Sequence, residues 1–177
     1  MKKFIGVLGI AVLALVLTAS AALAGKATLQ TFGTGTVTAT TDSATIVNAA
    51  GQYGGVYLQS KSNSGKLADV DVSFKSTTLV TGGAPRFSLP IDDPATSTKG
   101  DGHAFIDAAN CGGVSGETTL VSTESDTCKV FYGSGSWANW DAFVAANSTL
   151  RITPGSIPFI IADGAAGTYT ITSIVLR

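Results

Sequence analysis

Along much of the chain apolar and polar residues alternate one by one, the pattern of a strand with one face in a core and the other in water. The segment ADVDVSF is the clearest case, setting Ala68, Val70, Val72 and Phe74 against Asp69, Asp71 and Ser73. PRFSLPI repeats it, with Phe87, Leu89 and Ile91 on one side and Arg86 on the other; because Pro90 has no N–H to give a ladder, this strand is expected at a sheet edge or at a bulge. TGTVTAT, ATIVN, GVYLQS, HAFIDAA, TTLVS, KVFYG, TLRIT, PFIIA and TYTITSIVL add further strands. In the last of these the inward set passes from Tyr169 and Ile171 to Ile174 and Leu176, which predicts a bulge near Thr172 or Ser173. Its apolar character places it in the middle of a sheet.

Turn-forming clusters separate the runs: KSNSG, TGGAP, the long DDPATSTKGDG, and DGAAG. Eight to eleven short strands so punctuated predict an all-β fold, an antiparallel β-sandwich of jelly-roll type. One segment departs from period two. SWANWDAFVAANS has Ser136 as a candidate N-cap and Trp137, Trp140 and Val144 at helical spacing beside Phe143, predicting one short helix over 136–147 that caps an open end of the sandwich.

The amino terminus reads differently. Lys2 and Lys3 precede the apolar run FIGVLGIAVLALVL, and TASAALA ends in the small-residue pattern Ala22-Leu23-Ala24. This is the order of a cleavable signal peptide over 1–24, its apolar stretch being shorter than the roughly 20 residues a membrane span requires. The remainder, 25–177, has the length of one domain. With no lipidation motif and no second long apolar segment, the expected product is extracellular or periplasmic, free of the membrane once the signal is removed.

Composition narrows the function. Removing Lys2 and Lys3 from the 11 basic residues leaves nine against 12 acidic ones, a formal charge of −3, which offers no footprint for nucleic acid. The two cysteines, Cys111 and Cys128, are expected to pair in an oxidising compartment. Catalytic motifs are missing: there is one histidine, His103, and no GxSxG, HExxH or P-loop. Alternation groups His103 with Phe105 and Asp107 on one strand face. An Asp pair among Asp92, Asp93, Asp101 and Asp107 would be enough for a glycosidase, although Asp-Pro and Asp-Gly turns account for these residues as a polar loop.

The same loop makes Asp92, Asp93 and Asp101 candidate ligands of a structural calcium ion, with Asp42, Asp69 or Asp163 as outside contributors; it lacks EF-hand spacing and a closing Glu. No other cofactor is implied. Tyr53, Tyr57, Tyr132, Trp137, Trp140 and Tyr169 are the aromatic candidates for stacking on sugar rings. Tyr57 stands out because alternation in GVYLQS sends it away from Val56 and Leu58, and Arg86 is placed to add hydrogen bonds. Amphipathic spacing accounts for Trp137 and Trp140 without a ligand. The candidate ligand-binding set is therefore Tyr57, Arg86, Trp137 and Trp140.

The ending PFIIADGAAGTYTITSIVLR resembles the closing strands of carbohydrate-binding-module jelly rolls and galactose-binding-like domains, in which an apolar strand, a Gly turn and a final strand complete the sandwich. Where those families often carry an acidic residue, this chain reads Thr172-Ser173-Ile174, so their calcium ligand does not carry over. NWDAFVAANSTLRI resembles segments of uncharacterised secreted bacterial proteins. The resemblance implies a sandwich and a glycan partner. The leading expectation is thus a secreted noncatalytic carbohydrate-binding module. A cell-envelope or matrix protein assembling through edge strands such as PRFSLPI is the alternative, and a glycan-active enzyme using two Asp residues the third.

Overall fold

A computed structural model describes residues 28–58, 65–77, 83–98, 100–112 and 116–176. The predicted signal peptide, most of the KSNSG turn and Lys99 lie outside these. Among the described residues thirteen strands form two antiparallel sheets. The larger runs in the order β1 (Thr31–Gly33), β4 (Gly54–Tyr57), β12 (Phe159–Ala162), β6 (Arg86–Asp92), β7 (Gly102–Asp107), β9 (Val130–Tyr132), β10 (Gly135–Trp137), with β11 (Arg151–Ile152) also pairing with β6. The smaller runs β2 (Thr36–Ala39), β3 (Ala44–Asn48), β13 (Gly167–Leu176), β5 (Val72–Ser76), β8 (Thr119–Ser122).

The core lies between the sheets, and the period-two pattern fills it. Register sets Val56, Ile160, Phe87, Ile106 and Val130 in one row across five strands of the larger sheet, all buried to the last percent. From the smaller sheet Ile46, Phe74, Tyr169 and Ile171 meet them, each fully buried. Tyr169 is tolerated there because its hydroxyl reaches the Ala165 carbonyl at 2.5 Å. Glycines let the sheets approach at β4. A Cβ on Gly54 would stand 2.8 Å from the side chains of Ile46 and Val37, and one on Gly55, which faces the other way, would lie 2.4 Å from the Phe32 ring and 2.3 Å from the Ile160 carbonyl oxygen.

The β6 strand is central rather than at an edge, contrary to the reading of Pro90. The carbonyl of Pro90 accepts from Thr153 N at 3.0 Å, so its missing N–H points to the same side. There the pairing with β12 has ended at Ser88 and that with β11 begins only at Ile91, so no neighbour requires the donor. The ADVDVSF strand also begins later than alternation indicated. Leu67–Asp69 form a 3-10 turn that buries Leu67 and exposes Ala68, and Val72, Phe74 and Ser76 are the inward residues of β5.

The closing strand β13 is central in its sheet, and its register shifts between Thr172 and Val175, with Ser173 at φ 54°. This is the bulge the sequence pattern required: one extra residue returns Ile174 to the core. The helix, Trp140–Ala146, starts later than expected, capped by Asn139, whose side chain accepts from Ala142 N at 2.9 Å. Trp137 closes β10 instead, and Ser136 is a strand residue.

Cys111 and Cys128 are bonded to each other. Between them the chain leaves the larger sheet after β7, contributes β8 to the smaller, and returns as β9, so the bond closes a loop that crosses both layers. Reduction, or a Cys111→Ala/Cys128→Ala double variant, is expected to lower stability by about 3 kcal/mol, since the unfolded loop of 17 residues is released; urea unfolding with and without reductant checks this. Gly55→Ala is expected to cost about 1–3 kcal/mol in the same assay, because the Ile160 backbone cannot yield to the new methyl group.

Candidate functional site

The outer face of the larger sheet carries the residues that alternation left outside the core. Across the strands Tyr57 pairs with Phe159, Phe159 with Ser88, Ser88 with Phe105 and Phe105 with Phe131, in one row. Gly55, Ile161, Arg86 and Asp107 make the next row, and Pro90 with His103 lies on the other side. Phe32, on β1, pairs with Gly55 and lays its ring over it. Six strands thus present a surface about 24 Å wide at the usual spacing between strands.

The rings form a chain. Centroid separations are 4.6 Å from Phe32 to Tyr57, 6.2 Å from Tyr57 to Phe159, 5.5 Å from Phe159 to His103 and 6.1 Å from His103 to Phe105. They meet partly edge to face, with interplanar angles from 24° to 84°, so they support one another instead of lying in one plane. All are half-buried, which leaves part of each ring open to solvent. Burial holds the His103 imidazole below its ordinary pKa, favouring the neutral ring.

Polar groups sit among the rings. The Arg86 guanidinium lies 4.5 Å above the Phe105 ring and pairs through Nη2 with Asp163. Asp107, directly opposite Arg86 in the ladder, accepts from Asn110 Nδ2 at 3.3 Å; burial raises its pKa, and Arg86 opposes that rise. Of six buried side-chain atoms without a hydrogen-bond partner among the described residues, three are here: Ser88 Oγ, Arg86 Nε and Asp107 Oδ1. Leaving such an atom unpaired costs about 1–3 kcal/mol.

The structure therefore places Tyr57 and Arg86 on one face, two strands apart, with Phe159 of β12 between them. Trp137 and Trp140 lie elsewhere. Trp140 is 4% exposed, its indole N–H donating to the Leu67 carbonyl at 3.2 Å, and Trp137 packs its ring 5.0 Å from that of Phe143. Both join the helix to the sandwich, and neither offers a ring face to a ligand on the aromatic surface. Tyr132 packs on Phe143 too, Tyr169 is core, and Tyr53 is exposed on the turn before β4.

The aspartates of the long loop pair with the loop itself and with β11. Asp92 is buried and takes the Arg151 Nε at 2.7 Å. Asp101 accepts from Asp93 N at 2.7 Å and from Thr96 Oγ1 at 2.9 Å, while Asp93 Oδ1 accepts from Ala95 N at 2.9 Å. Among the described residues no group of three His, Cys, Asp or Glu side chains is arranged to hold a metal ion.

Sequence reasoning passed over Phe32, Phe159, Phe131 and Ser88. Alternation in PFIIA does send Phe159 and Ile161 away from Ile160 and Ala162, but only pairing shows that Phe159 lands beside Tyr57.

No helix of the described residues is long and apolar enough to cross a membrane. No family model matches the chain, and neither does any curated protein sequence. Among solved structures it is similar to the Family 11 Carbohydrate-Binding Module of cellulosomal cellulase Lic26A-Cel5E of Clostridium thermocellum, with 12% identity, a TM-score of 0.44, and coverage of 87% of this chain and 89% of that one.

Proposed function

We propose that this protein is a secreted, noncatalytic carbohydrate-binding module whose ligand lies on the outer face of the larger sheet. The observation that carries the reading is the unbroken run of half-open rings, Phe32, Tyr57, Phe159, His103 and Phe105, with the half-buried Arg86 and Asp107 in the row beside them. Sugar rings present apolar C–H faces and a rim of hydroxyls, and a surface of aromatic faces with a few fixed polar groups is their complement. Export agrees with the disulfide and with the predicted signal peptide.

Assembly through edge strands is the less favoured reading. The edge strands β1 and β10 have three residues each and β2 and β8 four, which gives another chain little ladder to extend. For an enzyme, the carboxyls on the face are Asp107 and Asp163, and Asp163 is held in its pair with Arg86. Binding without bond cleavage suits that arrangement better than the acid and nucleophile of a glycosidase.

A glycan array probed with the exported protein is expected to give hits that persist in EDTA and that Tyr57→Ala or Phe159→Ala weakens about tenfold, an aromatic anchor being worth more than 1 kcal/mol. Leu120→Ala, exposed on the other sheet, should leave them unchanged. Absence of hits, or equal loss in Leu120→Ala, would overturn the reading.

Stability should depend on pH through the same face. The folded chain resists protonating His103 more than the unfolded chain does, so the unfolded state gains its proton first and stability falls as pH drops below about 6.5. Asp107 acts with the opposite sign, because burial raises its pKa and the folded chain takes up that proton before the unfolded one. Thermal melts from pH 7.5 to 5.5 are expected to show a falling Tm that His103→Gln flattens.

A further inference from the structure

His103, the one histidine of the chain, stands inside the run of rings. It belongs to β7 and Phe159 to β12, with β6 between them, yet the two rings approach to 5.5 Å between centroids. They therefore meet above β6, whose Pro90, opposite His103 in the ladder, is buried. Phe105 lies 6.1 Å from the imidazole, its plane inclined by 24°. The imidazole is the link that joins Phe32, Tyr57 and Phe159 to Phe105, and a ligand that spans the rings covers it.

Of these rings it alone can change its charge between pH 5 and 8. Once protonated it has two N–H donors, each in need of an acceptor. Among the described residues no hydrogen bond or ion pair engages it. The ionisable groups of the elements around it have other partners. On β6, Arg86 pairs with Asp163 and Asp92 with Arg151 of β11. On β7, Asp101 accepts from Asp93 N and Thr96 Oγ1, while Asp107 faces Arg86 and accepts from Asn110. Tyr132 of β9 packs on Phe143, and β12 has no ionisable side chain. Water is left to solvate the imidazolium, and the C–H face of a sugar laid on the rings displaces that water without replacing its hydrogen bonds. Burial already holds the His103 pKa below its ordinary value in the free protein, and covering the ring acts in the same direction. By linkage the proton then opposes the sugar: affinity is full above the pKa of His103 and falls as pH drops through it.

We propose that His103 is a proton switch in the aromatic face, which holds a neutral glycan while the imidazole is uncharged and releases it when the imidazole takes up a proton. This rests on the carbohydrate-binding reading above: the rings supply affinity, and His103 makes that affinity depend on the acidity of the surroundings.

Isothermal titration calorimetry of the exported protein with xyloglucan, galactomannan and hydroxyethylcellulose at pH 7.5, 6.5 and 5.0 tests it, with thermal melts showing the protein folded at each pH. At least one polymer is expected to bind at pH 7.5 and to bind about tenfold more weakly at pH 5.0, the exchange of one proton setting a limit of about tenfold per pH unit. Titrations at pH 5.0 in two buffers of different ionisation enthalpy should show a proton released on binding. His103→Phe, which keeps a ring but cannot take a charge, is expected to bind at pH 5.0 within about twofold of its affinity at pH 7.5. His103→Gln should be as insensitive to pH, though weaker throughout because the ring is lost. Wild-type affinity that stays constant over this range overturns the proposal. So does a weakening that both variants retain, which would assign it to carboxyl groups such as Asp107. If no polymer binds at any pH, the carbohydrate-binding reading fails and the switch with it.

Discussion

The register of the larger sheet is the constraint on which everything else depends. Val56, Ile160, Phe87, Ile106 and Val130 must all face Phe74, Ile46 and Tyr169 across the core, and a one-residue slip in any strand would turn its apolar set to water. Each of those side chains is worth about 1.5–3 kcal/mol when buried, so the core row enforces its own alignment. Period two then leaves no freedom on the other face. Once Phe87 and Ile106 point inward, Arg86, Ser88, Phe105 and Asp107 must point outward, side by side. The candidate site is in this sense the reverse side of the core.

Such a face carries a cost that the core offsets. Half-open rings and three buried atoms without partners do not help the chain to fold, and a sandwich optimised for stability alone would place threonine or lysine there, as the smaller sheet does with Thr45, Lys75 and Thr170. The cluster is nonetheless held firmly. Rings brace rings edge to face, Gly55 gives Phe32 its seat, and Arg86 is fixed between Phe105 and Asp163. A surface braced in this way would lose little freedom on binding a partner.

Much of this was legible in the residues. Alternation identified most strands, the in-and-out assignment of Val56, Tyr57, Arg86 and Phe87, the grouping of His103, Phe105 and Asp107 and the bulge at Ser173, and the cysteine count identified the disulfide. It misjudged places where a local rule met a tertiary circumstance. Pro90 marks an edge only if a neighbour wants its N–H, and here the neighbour changes from β12 to β11 at that point. Ser136 had the chemistry of a cap, but Gly135–Trp137 pair with β9 and leave Asn139 to start the helix.

By itself the sequence determined which side of each strand a residue occupies, because period two is local and follows from the pleat of the backbone. It also determined that an aromatic or polar residue opposite a core position had to be displayed. Which displayed residues become neighbours was decided by tertiary structure alone. Phe32, Tyr57, His103 and Phe159 come from four strands spread over more than 120 residues, and strand order, set by pairing between distant segments, brings them into one surface. The same assembly took Trp137 and Trp140 from the surface into the packing of the helix, since a side chain's value as a contact depends on what lies across from it, which no local pattern records.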